Sequence, residues 1–411
     1  MKNKSPLIPN KLPTIADNSG RMLGDEEKQA LMEVIDSGTL AYIYGTKVRD
    51  FEEAYAKLHD MPYSVAVSSG TAALHTALIY LNPEPGDEII VSPITDMGTV
   101  IPILYQQAIP VFVDVDENTQ NMDPNLIEQS ITDRTKAIMV THMHGIPADM
   151  DPIMEISKKY GIPVIEDCAQ AHMATYKGAL VGTFGDLSCF SFQQSKHITT
   201  GDGGMVLSKT SNWNGRDLRL SFDKGWPRDK AGRDHLFLAP NYHMTELQAA
   251  VGLAQIKKYP QIVNQRRAMG KLLSKKLGES DLIKLFSPLP NTTSTFFGYG
   301  FRIDLEKLKS SGAQIAKELQ LEGLKCELGY PGPVPLYSYP MIAEYKTFGT
   351  SGLPFTSSHT TKKWSFEKGL CPVAEKVCQE TIMLPWNEGL REEHVDLIAN
   401  AIITVLERNR K

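Results

Sequence analysis

One lysine, Lys196, lies between a β-like run and a run of small residues in the segment FSFQQSKHITTGDGGM at 190–205. A lysine amine can act as a nucleophile or as a base when its surroundings keep it neutral. A lysine in an exposed loop, however, is usually a solvated charge with no further role. A catalytic role for Lys196 therefore depends on the groups that the fold brings near it.

Two further segments carry groups that could complete such a site. In YSVAVSSGTAALHTAL at 63–78, a turn of small residues that includes Gly70 joins a strand to a helix. The start of such a helix can bind an anion, and glycine lets the backbone approach a phosphate, although the same turn is typical of an ordinary N-cap. In IPVIEDCAQAH at 162–172, Asp167 follows an apolar run, where a buried carboxylate needs a cationic partner or caps a neighbouring helix.

A phosphate site, a buried carboxylate and a held lysine together meet the needs of one cofactor. Pyridoxal phosphate needs its phosphate bound, its pyridinium nitrogen paired with an acid and its aldehyde joined to a lysine as a Schiff base. The three segments therefore favour a pyridoxal-phosphate site at Lys196, Asp167 and the turn at Gly70.

These residues need a scaffold, and strand-like runs alternate with helix-like runs along the chain. Seven short runs rich in Val and Ile are predicted as strands: 63–69, 87–93, 109–115, 135–145, 162–169, 187–192 and 203–208. Residues 71–81 and 150–161 have helical spacing. This pattern predicts an α/β fold whose mostly parallel sheet is covered by helices and carries its ligands at the carboxyl ends of the strands.

The composition changes after a helix-rich segment at about 244–278. Shorter strand candidates, a stretch rich in Pro, Gly, Ser and Thr at 331–361 and a closing helix follow. We predict a large domain over 1–265, with an N-terminal arm over about 1–24, and a smaller α+β domain over 266–411.

Composition and charge exclude several classes of protein. The 43 Lys and Arg residues face 48 Asp and Glu residues without a basic block near the termini, so no nucleic-acid partner is expected. No segment approaches the run of about 18 apolar residues that a spanning helix needs, so no membrane association is expected. The five cysteines are odd in number and lack a CxxC spacing, which indicates reduced thiols in a cytoplasmic protein.

The chain also resembles the DegT/DnrJ/EryC1/StrS family of pyridoxal-phosphate-dependent sugar aminotransferases from about Asp25 to the last helix. The matching segments are GTKVRDFEEAYA, SSGTAALHTAL, PVFVDVD, EDCAQAHMATYKGALVGTFGDLSCFSF, SKHITTGDGGMV, NYHMTELQAAVGLAQ and LPWNEGLREEHV. The resemblance implies a fold-type I aminotransferase with a large cofactor domain, a small C-terminal domain and a homodimer whose active sites lie at the interface.

The resemblance also implies roles for single residues. Lys196 matches the lysine that binds the cofactor covalently, and Asp167 matches the acid beside its ring nitrogen. The other matches are Gln170 near the 3-hydroxyl of the ring, Gly70, Thr71 and Ser191 at the phosphate, and Asn241 as a phosphate ligand from the other subunit. No metal is expected.

One position departs from the family pattern. Where the family has an aromatic or histidine side chain stacked on the cofactor ring, SPITDMG places Asp96. A carboxylate cannot stack, so either Asp96 contacts a polar edge of the cofactor or substrate, or another side chain covers the ring.

Two alternatives remain beside transamination of a sugar ketone or aldehyde by an amino acid, for which glutamate is the expected donor. A sister branch of the family removes a sugar hydroxyl, but it has histidine where this chain has Lys196, so transamination is favoured. A metal-dependent hydrolase is the alternative from another class, because His142 and His144 in THMHG are two residues apart at a strand end and would share one face.

The segment FDKGWPRDKAGRDH at 222–235 is rich in charge and glycine and is expected to form a mobile loop. Its cations Lys224, Arg228 and Arg233 could meet an anionic acceptor, although charged runs are usually solvated.

Overall fold

The computed structural model describes residues 5–229, 232, 234–360 and 362–411. Its α-helices are α1 Asp25–Ser37, α2 Lys47–Leu58, α3 Gly70–Leu81, α4 Met97–Tyr105, α5 Met150–Tyr160, α6 Glu246–Ile256, α7 Tyr259–Leu277, α8 Gly312–Leu321, α9 Pro340–Ala343, α10 Pro372–Glu380 and α11 Glu392–Arg408. Its strands are β1 Tyr63–Val67, β2 Glu88–Val91, β3 Ile109–Phe112, β4 Thr135–Thr141, β5 Val164–Asp167, β6 Thr175–Tyr176, β7 Ala179–Leu180, β8 Leu187–Ser191, β9 Gly204–Ser208, β10 Asn212–Trp213, β11 Arg216–Asp217, β12 Ile283–Leu285, β13 Thr292–Thr293, β14 Gly298–Ile303, β15 Glu327–Leu328 and β16 Thr381–Pro385.

The central sheet has seven strands in the order β1-β9-β8-β5-β4-β2-β3. They are the seven strands that the sequence predicts. The pairs β2–β3, β2–β4, β4–β5 and β5–β8 are parallel, and β9 runs antiparallel to both of its neighbours. The predicted α/β class with a mostly parallel sheet is therefore confirmed, and the carboxyl ends of β4, β5 and β8 lie at one edge of the sheet.

Helix α3 is apolar on all sides because it is enclosed by the molecule. The Ser69 Oγ caps its start by accepting the Ala72 N–H at 3.0 Å, and Asn82 ends it in a left-handed conformation with φ 55°. Residues 72–81 are all buried, and the helix packs on β8, β9 and α4. An apolar helix of this length is a core helix. Among the helices of the described residues, none is long and apolar enough to cross a membrane.

A second, four-stranded antiparallel sheet has the order β12-β14-β16-β15. It has its own apolar core, to which α7 contributes Leu273 and Leu277. The first turns of α7 instead place Ile262 and Val263 in the core of the central sheet. The predicted boundary between residues 265 and 266 thus falls inside α7, where one helix passes from the first core to the second.

Segments distant in sequence complete both cores. Ile8, from the predicted N-terminal arm, belongs to the second core. Leu336, Tyr337 and Phe355, from the segment rich in Pro and Gly, pack instead in the first core. That segment is therefore anchored on the central sheet, beside the site that the strand ends form.

All five cysteines are buried and free. Cys168, Cys189, Cys371 and Cys378 lie in the first core, and Cys326 lies in the second. Burial disfavours the thiolate and raises the pKa of Cys326 and Cys378 to about 12. The thiols therefore stay protonated at neutral pH.

Candidate active site

A cavity of about 330 Å³ opens at the carboxyl edge of the central sheet. It joins the end of β5, the end of β8 and the starts of α3 and α4. Its walls include six of the predicted site residues: Gly70, Thr71, Asp96, Asp167, Ser191 and Lys196. Chain segments more than a hundred residues apart thus meet in one place, as expected for a parallel sheet.

Lys196 extends its amine into this cavity, where the Nζ lies 4.3 Å from the centre of the Phe297 ring. Burial disfavours the ammonium and lowers the pKa of Lys196, while the negative charges of Asp167 and Asp96 oppose the shift. A lysine whose pKa is lowered has a larger neutral fraction, and only the neutral amine can attack a carbonyl or accept a proton.

Asp167 ends β5 and is only 4% exposed. Its carboxylate accepts the Thr99 hydroxyl at 2.8 Å and the Ala169 N–H at 3.1 Å. Burial raises the pKa of Asp167, and the two hydrogen bonds oppose that shift. In the described part of the chain, no Lys, Arg or His forms an ion pair with this carboxylate. A cationic group placed in the cavity would therefore stabilise it.

The start of α3 and the end of β8 form a narrow cradle of small residues. A Cβ added to Gly70 would lie 2.6 Å from the Ser191 Cβ, and one added to Gly204 would lie 2.2 Å from the Ser69 carbonyl oxygen. Larger side chains would displace both segments, so glycine permits the close approach. Ser69 is the N-cap of α3, as expected if this turn is an ordinary helix start. Gly70 and Thr71 also line the cavity, where an anion would lie at the positive end of the helix dipole.

Gln170 is buried just behind the cavity. Its Oε1 accepts the His144 N–H at 3.0 Å, and its Nε2 donates to the Tyr330 hydroxyl at 2.8 Å. Tyr330 itself lines the cavity, and burial raises the pKa of its phenol, with the charges of Asp96 and Asp167 adding to the shift. A neutral Tyr330 hydroxyl therefore reaches the site from the segment that follows β15.

Replacing Tyr330 with phenylalanine tests this contact. The substitution keeps the ring but leaves the buried Gln170 Nε2 without its acceptor, and an unpaired buried donor costs about 1–3 kcal/mol. We expect cofactor binding about tenfold weaker, measured by equilibrium titration with pyridoxal phosphate. Replacement of Tyr339 with phenylalanine is the control, because Tyr339 is also partly buried but lies outside the cavity wall, and it should leave binding unchanged. Unchanged binding in Tyr330→Phe would contradict the expectation.

Asp96 is the N-cap of α4, and its Oδ1 accepts the Gly98 N–H at 2.8 Å. The residue is exposed on the wall of the cavity. The aromatic rings in that wall are those of Phe297 and Tyr330. Asp96 thus has a structural role in α4 and presents a carboxylate, with no ring surface, to the cavity.

Asn241, like Gln170, is not part of the cavity wall, and it lies on the surface of its own chain. It is exposed, and its backbone pairs with Asp223 in an isolated β-bridge. Its Oδ1 accepts only a long hydrogen bond of 3.4 Å from the His243 N–H. Asn241 is absent from the cavity wall, so its role as a phosphate ligand from a second copy of the chain stays a prediction.

The predicted cations near residue 228 differ in their surroundings. Arg228 donates to Asp223, with one contact of 2.8 Å, so its charge is already paired. Lys224 lies 3.6 Å from the same carboxylate. Arg233 lies outside the described residues. The two described cations are thus engaged with Asp223, and their role toward an anionic acceptor stays a prediction.

His142 and His144 do not form a metal site. The prediction that they share one face is wrong, because β4 ends at Thr141 and His144 has a left-handed φ of 57° in the turn that follows. His142 donates from Nε2 to Glu166 at 3.0 Å and accepts the Ala148 N–H on Nδ1 at 3.0 Å. His144 lies instead against Gln120, at 3.1 Å.

Residues that the sequence analysis did not single out complete the site. Thr99 binds Asp167, Phe297 lies beside Lys196, and Tyr330 holds Gln170. Of these, only Tyr330 had a sequence signal, because it directly precedes the segment rich in Pro, Gly, Ser and Thr at 331–361. Thr99 lies within α4 and Phe297 directly precedes β14, and no motif of the sequence singles out either residue.

The chain matches the DegT/DnrJ/EryC1/StrS aminotransferase family over residues 21–366. It is 32% identical to the GDP-perosamine synthase of Caulobacter vibrioides over 96% of this chain and 99% of that protein. Its fold is similar to that of an aminotransferase from Psychrobacter cryohalolentis, with a TM-score of 0.84 and 30% identity over 95% and 98% of the two chains. A putative sugar aminotransferase from Streptococcus pneumoniae, solved in PLP and PMP forms, has a TM-score of 0.81 and 26% identity, with 95% of this chain and 97–98% of that chain covered.

Proposed function

This chain belongs to the DegT/DnrJ/EryC1/StrS aminotransferase family and is a pyridoxal-phosphate-dependent sugar aminotransferase, and we propose that Lys196 and Asp167 carry out its chemistry. The observation that carries the proposal is a cavity lined both by a lysine whose pKa is lowered by burial and by a buried carboxylate that forms no ion pair among the described residues. Among the described residues, His142 lies with Glu166 and Cys168 in a buried group that could hold a metal, but His144 is not part of it, so the histidine pair of the metal-dependent hydrolase is not assembled.

The cavity fits the cofactor in the chemistry of each wall. Asp167 would pair with the protonated ring nitrogen, a cation that would stabilise the buried carboxylate. The cradle at Gly70, Thr71 and Ser191 would hold the phosphate at the start of α3. Gln170 would lie near the ring hydroxyl, with Tyr330 behind it.

When bound, pyridoxal phosphate supplies an electron sink for the pair left by breaking the Cα–H bond of the amino donor. Lys196, displaced from the cofactor by the amine of the donor, would accept that proton from the donor Cα and later return a proton to the acceptor carbon. Asp167, whose carboxylate is held in place by the Thr99 hydroxyl and the Ala169 N–H, would keep the ring nitrogen protonated. Phe297 and Tyr330 exclude water from the side of the cavity next to the amine.

The donor is an amino acid, for which glutamate is proposed, and the acceptor is a ketone or aldehyde of a sugar, nucleotide-linked or free, in amino-sugar or surface-polysaccharide biosynthesis. L-Glutamate added to the loaded enzyme should bleach the visible band of the cofactor, and a keto sugar should restore it. L-Glutamine is tested beside it. Release of a sugar hydroxyl without amine transfer would instead establish the dehydratase.

We propose a homodimer in which Asn241 of each copy completes the active site of the other. Its exposure on a strand-like bridge away from its own cavity supports this arrangement. We also propose that the large and small domains divide near residues 265 and 266 and are joined through α7. A cytoplasmic location is proposed, and the protonated, unpaired thiols are compatible with it.

Coexpression of two inactive variants tests the shared site. In a heterodimer of Lys196→Ala with Asn241→Ala, one site carries both defects and the other carries neither. We expect about a quarter of the wild-type activity in a random mixture of subunits. Differently tagged subunits allow the heterodimer to be isolated and assayed. If Asn241 served its own cavity, every site would be defective and the mixture would stay as inactive as its parents.

A further inference from the structure

The loop at 192–203 between β8 and β9 contains Lys196 and is called the lysine loop here. The N-terminal arm contacts its backbone through one buried side chain, Arg21. The Arg21 Nη1 donates to the carbonyl oxygen of Lys196 at 2.8 Å, and its Nη2 lies 3.5 Å from that of His197. The Arg21 side chain is only 1% exposed. A guanidinium with no access to water is thus bonded to the main chain of the residue whose amine faces the cavity.

Arg21 lies beside a carboxylate from the other end of the chain, which it shares with a second buried arginine. Glu388, in the turn between β16 and α11, lies 3.5 Å from the Arg21 Nη1 and 3.1 Å from the Arg266 Nη2 of α7. All three side chains are at most 1% exposed. Burial lowers the pKa of Arg21 to about 10, and Glu388 opposes the shift, so Arg21 stays charged at neutral pH. Removing one of these three buried ions would leave a charge without its partner in the interior, which is costly.

The lysine loop is also held by contacts of its own, since the Thr199 hydroxyl donates to the Phe192 carbonyl at 2.9 Å and the His197 Nε2 lies 3.1 Å from the Thr295 carbonyl oxygen. Lys196 lies outside the strands, its own N–H donates to the Gln193 carbonyl at 2.9 Å, and Gly201 follows with a φ of 87°. A second contact from the arm is made by Ile15, whose carbonyl accepts the Gln194 Nε2 at 2.8 Å. Among the described residues, Arg21 is the donor to the Lys196 carbonyl, so the arm adds a direct contact at this residue to those that the loop makes elsewhere.

We propose that Arg21 is a positioning residue for Lys196, and that it fixes the backbone from which the amine reaches into the cavity. The inference rests on the proposed role of Lys196 as the residue that binds the cofactor covalently. Arg21 touches neither the cavity nor the reacting atoms, so it acts only through the carbonyl groups of Lys196 and His197. Its anchor on Glu388 ties this position to the second sheet.

The test is the rate at which the visible band forms when pyridoxal phosphate is mixed with cofactor-free enzyme. Arg21→Met removes both contacts with the carbonyl groups, and we expect band formation to slow about tenfold, because misplacement of a reacting group by about 1 Å costs up to about 100-fold. Arg21→Lys keeps the charge beside Glu388 but cannot bridge two carbonyl groups, and it should lie between Arg21→Met and wild type. Visible circular dichroism of the bound cofactor should change in the same order.

Asn387→Ala is the matched control. Asn387 is also buried and also holds the arm, since its Nδ2 donates to the Pro13 carbonyl at 2.9 Å, but it makes no contact with the lysine loop. Band formation in this variant should stay within about twofold of wild type. Wild-type rates in Arg21→Lys, or equal slowing in Asn387→Ala, would overturn the proposal. If Arg21→Met does not fold, the rate of band formation in Arg21→Lys decides whether Arg21 positions Lys196.

These outcomes differ from a failure of the proposed function itself. If Lys196 does not bind the cofactor, the wild-type protein forms no band that borohydride can trap, and Arg21 variants have nothing to slow. If Lys196 binds the cofactor but Arg21 does not position it, the band forms normally in every Arg21 variant.

Discussion

Lys196→Ala is expected to abolish the visible band of the cofactor-loaded enzyme and to lower transamination at least about 10³-fold. The substitution removes both the amine that binds the cofactor aldehyde and the base that moves the proton. The cavity keeps its other walls, so pyridoxal phosphate should still bind through the start of α3 and Asp167. The loss should therefore appear in the covalent step and in kcat more than in cofactor affinity.

Absorption spectra before and after borohydride measure this effect. Wild-type protein should lose its band on reduction and keep the cofactor covalently attached, whereas Lys196→Ala should release all of it on denaturation. Lys209→Ala is the control, because Lys209 is exposed and its Nζ donates only to the Phe184 carbonyl, outside the cavity. A trapped cofactor in Lys196→Ala would show that another residue forms the bond.

Asp167→Asn is expected to lower kcat about 10³-fold while the cofactor remains bound and covalently attached. The amide is nearly the same size and can still accept the Thr99 hydroxyl, but it carries no negative charge to keep the ring nitrogen protonated. Without that charge the ring withdraws electrons less strongly, and the Cα–H bond of the donor breaks more slowly. Stopped-flow measurement of band bleaching by glutamate isolates this step.

The neighbouring residue provides a control for Asp167→Asn. Glu166 is an equally buried carboxylate, but in a strand its side chain points to the opposite face, where it accepts N–H groups of Gly182, Phe184 and Gly185. Glu166→Gln should lower the midpoint of thermal unfolding and leave the bleaching rate within about threefold of wild type. Equal slowing of both variants would mean that any buried charge at the end of β5 supports the reaction.

The sequence predicts the parts of this site that depend on local pattern. The seven strands are short apolar runs, and parallel strands place their carboxyl ends at one edge, so Lys196, Asp167 and Gly70 could be expected to meet. The N-cap at Ser69 and the cradle at Gly70 also follow from residue types within a few positions. These predictions need only the period of the strands and the direction in which they run.

Contacts between distant segments could not be predicted in this way. Tyr330 reaches Gln170 across 160 positions, and Arg21 reaches Lys196 across 175. Neither residue lies in a motif, and each acts only because packing brings its segment against the central sheet. The error at His144 has a local cause, since a left-handed turn ended β4 earlier than its apolar run indicates.

The burial of every cysteine makes the thiols reporters of opening in this protein. An alkylating reagent added to the folded chain should find no accessible sulfur, so each labelling event records a moment at which the surrounding core has opened. Cys326 alone samples the second core, whereas Cys168 and Cys189 flank Asp167 in the first. Mass spectrometry of labelled peptides could therefore time the opening of the two cores separately, and bound cofactor should delay labelling of the two cysteines beside Asp167.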